Sequence, residues 1–169
     1  PDEAATAQLA IDLAPFLRAG DAVGLSGNIG VGKTAFARAL IRHLTGDAAH
    51  EVPSPTFTIL QIYDTLRFPV VHADLYRIGN ASELVELGWD EAAEGALLLI
   101  EWPEKMANAL PKNRLQVAFH LGEDMSEDGG LTRRAVITGF GDWAEKLARL
   151  ASVVYFLEAA GWYGAERHV

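Results

Sequence analysis

An eight-residue stretch restricts the architecture of this 169-residue chain more strongly than any other part of the sequence: Gly-Asn-Ile-Gly-Val-Gly-Lys-Thr at residues 27–34. It matches the pattern G-x-x-x-x-G-K-[ST] of phosphate-binding loops. Glycines let the backbone curl until successive N–H groups point at phosphate oxygens, and the following helix directs its positive dipole end at the same anion. The alternative is a glycine-rich turn that only caps a helix, but the full pattern seldom arises by chance. The motif therefore predicts a nucleotide site.

Two side chains of the motif have distinct predicted roles. Lys33 supplies a positive charge near the β- and γ-phosphates, and the Thr34 hydroxyl is suited to bind Mg²⁺. The predicted phosphate-binding residues are Gly27, Gly30, Val31, Gly32, Lys33 and Thr34.

The rest of the sequence alternates between strand and helix patterns. Helical spacing or composition predicts helices at 6–17, 34–44, 80–87 and 142–160. Apolar runs predict strands at 22–26, 56–63, 67–73 and 96–101, and residues 115–121 and 134–138 are suited to form a β-hairpin around a loop at 122–130. We therefore expect an α/β, three-layer P-loop NTPase-type fold with a mixed, mainly parallel central sheet flanked by helices.

The length suits a single core. We expect residues 1–141 to form the P-loop ATPase domain and residues 142–169 an amphipathic helix and tail packed on it, with Trp162 and Tyr163 folded back rather than docked on a partner. The chain contains no cysteine, which excludes disulfides and Cys-ligated zinc. It contains no apolar run of membrane-spanning length and no signal-like start, so we expect a cytoplasmic protein without a membrane role.

The charge balance bears on nucleic-acid binding. Lysine and arginine number 14 against 23 aspartates and glutamates, which gives a net charge of −9. Sequence-independent nucleic-acid affinity comes from clustered basic side chains that neutralise phosphates. The basic residues here are scattered, so any connection to RNA is expected to be indirect.

A phosphate loop requires a second acidic group at a nearby strand end, to hold Mg²⁺ directly or through water. Two carboxylates qualify: Glu101 after the apolar run at 96–100, and Asp74 after a weaker run. A solvated carboxylate at a strand terminus is the alternative for each. We favour Glu101 as the metal-linked residue because its strand is the more apolar, and Asp74 as the residue that orients water or the metal shell.

Further polar and aromatic residues have two interpretations each. Ser54 and Thr56 lie between the loop helix and the next strand, where they either reach over the γ-phosphate or belong to a structural turn. His72 is either a base or, as lone histidines near strands usually are, a satisfied core residue. Trp89 and Trp102 are better suited to packing or an interface than to binding a cofactor.

Five segments together resemble the TsaE family. They are the phosphate loop, residues 52–58 with Ser-Pro-Thr-Phe, residues 72–77 with His-Ala-Asp-Leu-Tyr-Arg, residues 86–89, and residues 100–104. The likeness covers about residues 3 to 140. Two features depart from the family: the residues at Asn28 and Ile29, and the length of the C-terminal helix and tail.

The resemblance implies a Mg²⁺-dependent ATPase of the bacterial machinery that makes N6-threonylcarbamoyladenosine at position 37 of tRNAs reading ANN codons. Such a protein docks on the TsaD–TsaB pair, resets that complex with ATP, meets tRNA only indirectly, and is expected to be a monomer when isolated. The resemblance assigns Mg²⁺ to Thr34 and Glu101 and associates Asp74 and Trp102 with activity. The predicted catalytic residues are Lys33, Asp74 and Glu101. The resemblance assigns nucleotide contacts also to Thr6, Trp102 and one of Arg133 or Arg134.

Three rival functions share the phosphate loop. A small-molecule kinase needs an acceptor site and usually an arginine-bearing lid, and the sequence shows no arginine-rich helical lid. A GTPase switch needs an Asn-Lys-x-Asp segment, which the sequence lacks. A nucleotide-dependent binding module with negligible turnover is the third rival. Because no arginine finger is evident within the chain, we expect a low intrinsic ATPase rate that a partner raises.

Overall fold

Six strands pair into one mixed sheet: β1 Ala22–Ser26, β2 Leu60–Tyr63, β3 Val70–Asp74, β4 Leu97–Glu101, β5 Arg114–Met125 and β6 Leu131–Phe140. Their spatial order in this computed structural model, which describes residues 3–55, 58–80, 82–125 and 131–154, is β2-β3-β4-β1-β5-β6. The four central strands run parallel, while β2 and β6 pair antiparallel at the two edges. The predicted mixed, mainly parallel sheet is confirmed.

Helices cover both faces of the sheet. The helices are α1 Glu3–Leu13, α2 Lys33–Thr45, α3 Ser82–Glu86, α4 Trp89–Ala93 and α5 Asp142–Val154, with 3₁₀ helices at Ala14–Phe16 and Pro103–Ala109. One buried cluster joins α1, α2 and Trp143 of α5 to the sheet. The other joins α3, α4 and Met106 to the opposite face. The structure therefore has the three layers that the sequence predicts.

Strand β4 shows how this layering directs a carboxylate to the site. All of its residues are buried, as is usual for a parallel strand with helices on both faces. Leu97 and Leu99 belong to the cluster on the α2 side, and Leu98 and Ile100 to the other. Because side chains alternate along a strand, Glu101 falls on the α2 side at the carboxyl end.

Several element boundaries differ from the predictions. Helix α1 ends at Leu13 instead of residue 17 because a 3₁₀ turn containing Pro15 follows. Strand β3 begins at Val70, after Pro69, and β2 begins at Leu60 instead of residue 56. The hairpin strands are longer than predicted, so residues 122–125 extend β5 instead of forming a loop.

Some predicted features lie outside the described residues. They are Thr56, residues 126–130 of the hairpin loop, and the C-terminal part from residue 155 onward with Trp162 and Tyr163. Helix α4 and the 3₁₀ helix Pro103–Ala109 were not predicted at all.

Helix α5 packs on the sheet through Trp143, with Leu147 and Leu150 against the same buried cluster. The Trp143 ring is buried in the α2-side cluster, and its Nε1 donates to Asp21 Oδ1 at 3.0 Å. Lys146 lies over the same ring, 3.7 Å from its centroid. The division of the chain into an ATPase domain at 1–141 and a packed helix and tail at 142–169 stays a prediction. Among the described residues, no helix combines the length and apolar character needed to cross a membrane.

Replacing Gly139 with alanine is expected to destabilise the fold by between about 1 and 3 kcal/mol, since overpacking a tight contact costs that much. A Cβ at Gly139 collides with the Trp143 carbonyl at the start of α5. The measurement is thermal unfolding. Gly79→Ala is the matched control, because a Cβ there meets only the flexible end of Glu83 at 3.1 Å. Equal midpoints for the two variants would contradict this account of how α5 packs.

Candidate functional site

The phosphate loop connects β1 to α2 and has positive φ angles at three glycines: Gly27, Gly30 and Gly32. Gly27 and Gly32 have φ angles of 129° and 120°, which residues with a Cβ rarely adopt. A Cβ at Gly27 also collides with the Phe119 carbonyl of β5. Val31 is buried in the α2-side core and anchors the loop. The loop conformation is therefore fixed by residue type and by packing against the sheet.

The start of helix α2 is open toward the loop. Gly32 is the N-cap, and among the described residues no side chain caps this end of the helix. The first amide groups of a helix lack intrahelical partners and carry the positive end of the helix dipole. Gly30, with a φ of 77°, lies just before this end of the helix. This arrangement is a typical anion-binding site.

Lys33 extends across the loop. Its Nζ donates hydrogen bonds to the carbonyls of Gly27 at 2.7 Å and Asn28 at 2.9 Å. Burial lowers the pKa of Lys33, while the negative charges of Glu101, Asp74 and Glu104 act in the opposite direction. The side chain is 5% exposed, so a bound anion would compensate a cation that has lost most of its hydration.

Glu101 connects the loop to the sheet. Its Oε2 accepts a hydrogen bond from Thr34 Oγ1 at 2.9 Å, and its Oε1 lies 2.8 Å from His72 Nε2. Glu101 is 2% exposed and His72 is fully buried. Within the described ranges, no group of three or more His, Asp or Glu side chains is arranged to hold a metal. One hydroxyl and one carboxylate fit Mg²⁺, which usually completes its shell with phosphate oxygens and water.

Asp74 lies beside Glu101. The two residues are register partners at the ends of β3 and β4, and Asp74 is also buried. Its Oδ1 accepts a hydrogen bond from the Tyr76 amide at 3.0 Å. The structure therefore brings together both strand-end carboxylates that the sequence indicates, next to the phosphate loop.

Trp102 follows Glu101 in a left-handed conformation. Its φ is 58°, which is unusual for a residue with a Cβ and is often found at functional sites. The ring lies 4.0 Å from Lys33 Nζ and 5.1 Å from the Tyr76 ring, between centroids. The Trp102 ring therefore packs against the Lys33 ammonium group at the end of β4. Trp89 instead packs in the α3–α4 core, which confirms its packing interpretation.

A cleft of about 220 Å³ opens beside the loop. It is lined by Glu3, Gly30, Gly32, Lys33, Thr34, Ala35, Arg38 and Arg133. A larger hollow of about 420 Å³ lies elsewhere, and none of its lining residues belongs to the phosphate loop: Pro15, His43, Leu44, Leu66 and Arg67. The chemistry favours the smaller cleft because it contains the lysine, the hydroxyl and the open helix end.

The remaining predicted site residues have different positions. Arg133 lines the cleft, whereas Arg134 is exposed and follows it on β6, where successive side chains alternate in direction. Thr6 is buried, and its Oγ1 lies 3.7 Å from the position that a Cβ on Gly32 would occupy. Ser54 is exposed on the segment between α2 and β2. Thr56 lies outside the described residues.

Sequence reasoning missed four residues of the site. Glu3, Ala35 and Arg38 line the cleft without belonging to the motif. Of the two interpretations of His72, a base or a core residue, the structure shows a fully buried residue, and it also contacts Glu101. The spacing of His72 and Asp74 places both side chains on one face of β3, but the contact with Glu101 depends on the pairing of β3 with β4.

Comparisons with known proteins agree with this geometry. The model of the family described as "Threonylcarbamoyl adenosine biosynthesis protein TsaE" matches residues 1–129. The Rickettsia felis protein named tRNA threonylcarbamoyladenosine biosynthesis protein TsaE is 42% identical over 116 residues, which cover 69% of this chain and 67% of that protein. The Bacillus subtilis protein of the same name is 36% identical over 138 residues, covering 80% and 83%.

A solved structure gives the same result for the fold. The crystal structure of Bacillus subtilis YdiB superposes with a TM-score of 0.68 at 28% identity and covers 90% of both chains. The predicted P-loop NTPase-type fold is confirmed. With the family model matching most of the sequence, the chain belongs to the TsaE family.

Proposed function

We propose that this protein is a Mg²⁺-dependent ATPase that acts on the TsaD–TsaB complex during formation of the threonylcarbamoyl group on adenosine 37 of tRNAs reading ANN codons. The observation that supports this proposal most strongly is the Lys33, Thr34 and Glu101 cluster at the open end of α2, in a member of the TsaE family. Membership of the family indicates the tRNA modification pathway, and the cluster indicates binding of phosphate and a metal ion.

The residues of the loop fit a triphosphate and its metal ion. The amides around Gly30 and Gly32 bind phosphate oxygens, and the Lys33 ammonium exchanges its two carbonyl acceptors for phosphate. Thr34 and Glu101, whose oxygen atoms lie 2.9 Å apart, would hold Mg²⁺. Mg²⁺ supplies positive charge that offsets the charge on the phosphates. We assign Arg133, on β6, to the nucleotide, together with Thr6 near Gly32 and Trp102 beside Lys33.

Hydrolysis requires a water molecule held in line with the γ-phosphate. We assign this task to Asp74, which lies beside Glu101 and is fixed by the Tyr76 amide. We also assign Ser54 and Thr56 to the nucleotide, on the γ-phosphate side. We assign none of the described arginines to the γ-phosphate: Arg38 Nε donates to the Val52 carbonyl at 3.3 Å, and Arg133 is assigned to the nucleotide from β6. A low intrinsic rate that a partner raises follows from this arrangement.

The charge of the chain supports an indirect route to tRNA. A net charge of −9 opposes binding to a phosphate backbone, so TsaD and TsaB are the proposed partners and tRNA is reached through them. We propose that the isolated protein is a cytoplasmic monomer.

ATP turnover measured with and without the TsaD–TsaB pair tests the function. We expect a low rate alone, an increase of about tenfold or more with the pair, and little turnover of GTP. Lys33→Ala serves as the inactive control, and tRNA modification should stop when the protein is omitted. Transfer of phosphate to a small acceptor, with no response to the pair, would support the kinase alternative instead. Tight ATP binding with no turnover under any condition would indicate a binding module.

A further inference from the structure

We propose that His72 is a positioning residue that sets the orientation of the Glu101 carboxylate for the metal ion. The proposal rests on the proposed function, because it concerns the Mg²⁺ site of the ATPase. His72 lies on the core side of Glu101, so it acts through the carboxylate and has no direct role in the chemistry.

Both oxygens of the Glu101 carboxylate lie within hydrogen-bonding distance of another side chain. Thr34 Oγ1 donates to Oε2 at 2.9 Å, and His72 Nε2 lies 2.8 Å from Oε1. A single hydrogen bond would leave the carboxylate free to rotate about its last side-chain bond. Two donors on different oxygens fix its plane, with Oε1 held inward and Oε2 presented beside Thr34.

Burial explains why this second donor is needed. Glu101 is 2% exposed, and a buried carboxylate oxygen without a donor carries a large desolvation cost. The His72 Nδ1 atom is buried and has no hydrogen-bonding partner among the described residues. A proton on that atom would be an unpaired buried donor, so the hydrogen-bond network assigns the proton to Nε2, facing Glu101.

Within the described part of the chain, Glu101 is the one hydrogen-bonding partner of the His72 imidazole. His72 lies on a fully buried strand among apolar residues, where a polar side chain is costly unless it is paired. The Tyr63 ring packs 6.5 Å from the imidazole, and its hydroxyl donates to Gln61 Oε1 at 2.7 Å. Tyr63 therefore packs beside His72, but its hydroxyl group binds Gln61 instead of Glu101. It provides a matched control.

Ligand-orienting hydrogen bonds of this kind are worth roughly 10- to 100-fold in metal affinity or activity. The test compares the whole protein with His72→Leu, His72→Gln and Tyr63→Phe. Calorimetry measures ATP affinity as a function of Mg²⁺ concentration and again in EDTA. For His72→Leu we expect the half-saturating Mg²⁺ concentration to rise about tenfold, with unchanged affinity for ATP in EDTA. His72→Gln, whose amide nitrogen reaches the Nε2 position, should restore the parent value within about threefold, and Tyr63→Phe should match the parent.

Different outcomes separate the two claims. If the parent shows no Mg²⁺-dependent ATP binding, the proposed function fails. If the parent binds as expected and His72→Leu gives the same Mg²⁺ curve, or His72→Gln behaves like His72→Leu, only the positioning role fails. If His72→Leu does not fold, nitrogen NMR of the parent protein tests the positioning role instead, because it shows which ring nitrogen of His72 carries the proton. A proton on Nε2 supports the contact with Glu101, and a proton on Nδ1 alone overturns it.

Discussion

Replacing Lys33 with alanine is expected to reduce the affinity for Mg-ATP by at least ~100-fold in a calorimetric titration. The ammonium group is a buried cation at the centre of the loop, and truncating one partner of a buried, hydrogen-bonded charge pair costs about 2 to 5 kcal/mol. Each 1.4 kcal/mol corresponds to a factor of ten in affinity. Lys33→Arg should also bind weakly, because the larger planar guanidinium does not fit between the loop carbonyls and the Trp102 ring.

The control for Lys33→Ala is Lys112→Ala. Lys112 is exposed on the segment before β5, so its removal changes the net charge equally without touching the loop. Thermal unfolding of both variants separates a loss of ligand from a loss of fold. Unchanged affinity for Mg-ATP in a folded Lys33→Ala protein would refute the assignment of the phosphate site.

Neutralising Glu101 should give the second large effect. Glu101→Gln keeps the size of the side chain but removes the charge beside Thr34. We expect the partner-stimulated rate of ATP hydrolysis to fall by about 100-fold at fixed Mg²⁺, since a catalytic metal supplies several kcal/mol of charge stabilisation. ATP affinity in EDTA should change little. The measurement is turnover across a Mg²⁺ titration.

Asp74→Asn is the matched comparison for Glu101→Gln. Asp74 is also buried and is the register partner of Glu101, but we assign it to water instead of to the metal. Its variant should lower the maximal rate without moving the Mg²⁺ midpoint. If Asp74→Asn shifts the midpoint and Glu101→Gln does not, the metal role belongs to Asp74.

Local sequence signals were sufficient for the phosphate loop and for the strand that carries Glu101. The loop follows from glycine at positions 27 and 32, where the backbone has positive φ. Strand β4 follows from an uninterrupted apolar run, which is typical of a strand buried on both faces. In both cases the residue types themselves impose the conformation.

Contacts that depend on strand pairing were beyond local signals. The contact of His72 with Glu101 exists because β3 and β4 are parallel neighbours in one register, and nothing near His72 in the sequence states this. The choice between Arg133 and Arg134 likewise depends on hairpin register, which places Arg133 opposite Leu121. Trp102 has a conformation that intrinsic preferences disfavour, so only the surrounding structure can impose it.

A crystal structure of the protein with Mg²⁺ and a non-hydrolysable ATP analogue tests the central claim most directly. This account predicts the β- and γ-phosphates inside the loop at residues 27–34, with Lys33 Nζ moved from the carbonyls of Gly27 and Asn28 to phosphate oxygens and Mg²⁺ at Thr34. A nucleotide bound elsewhere, with Lys33 still bonded to its own loop, would contradict it.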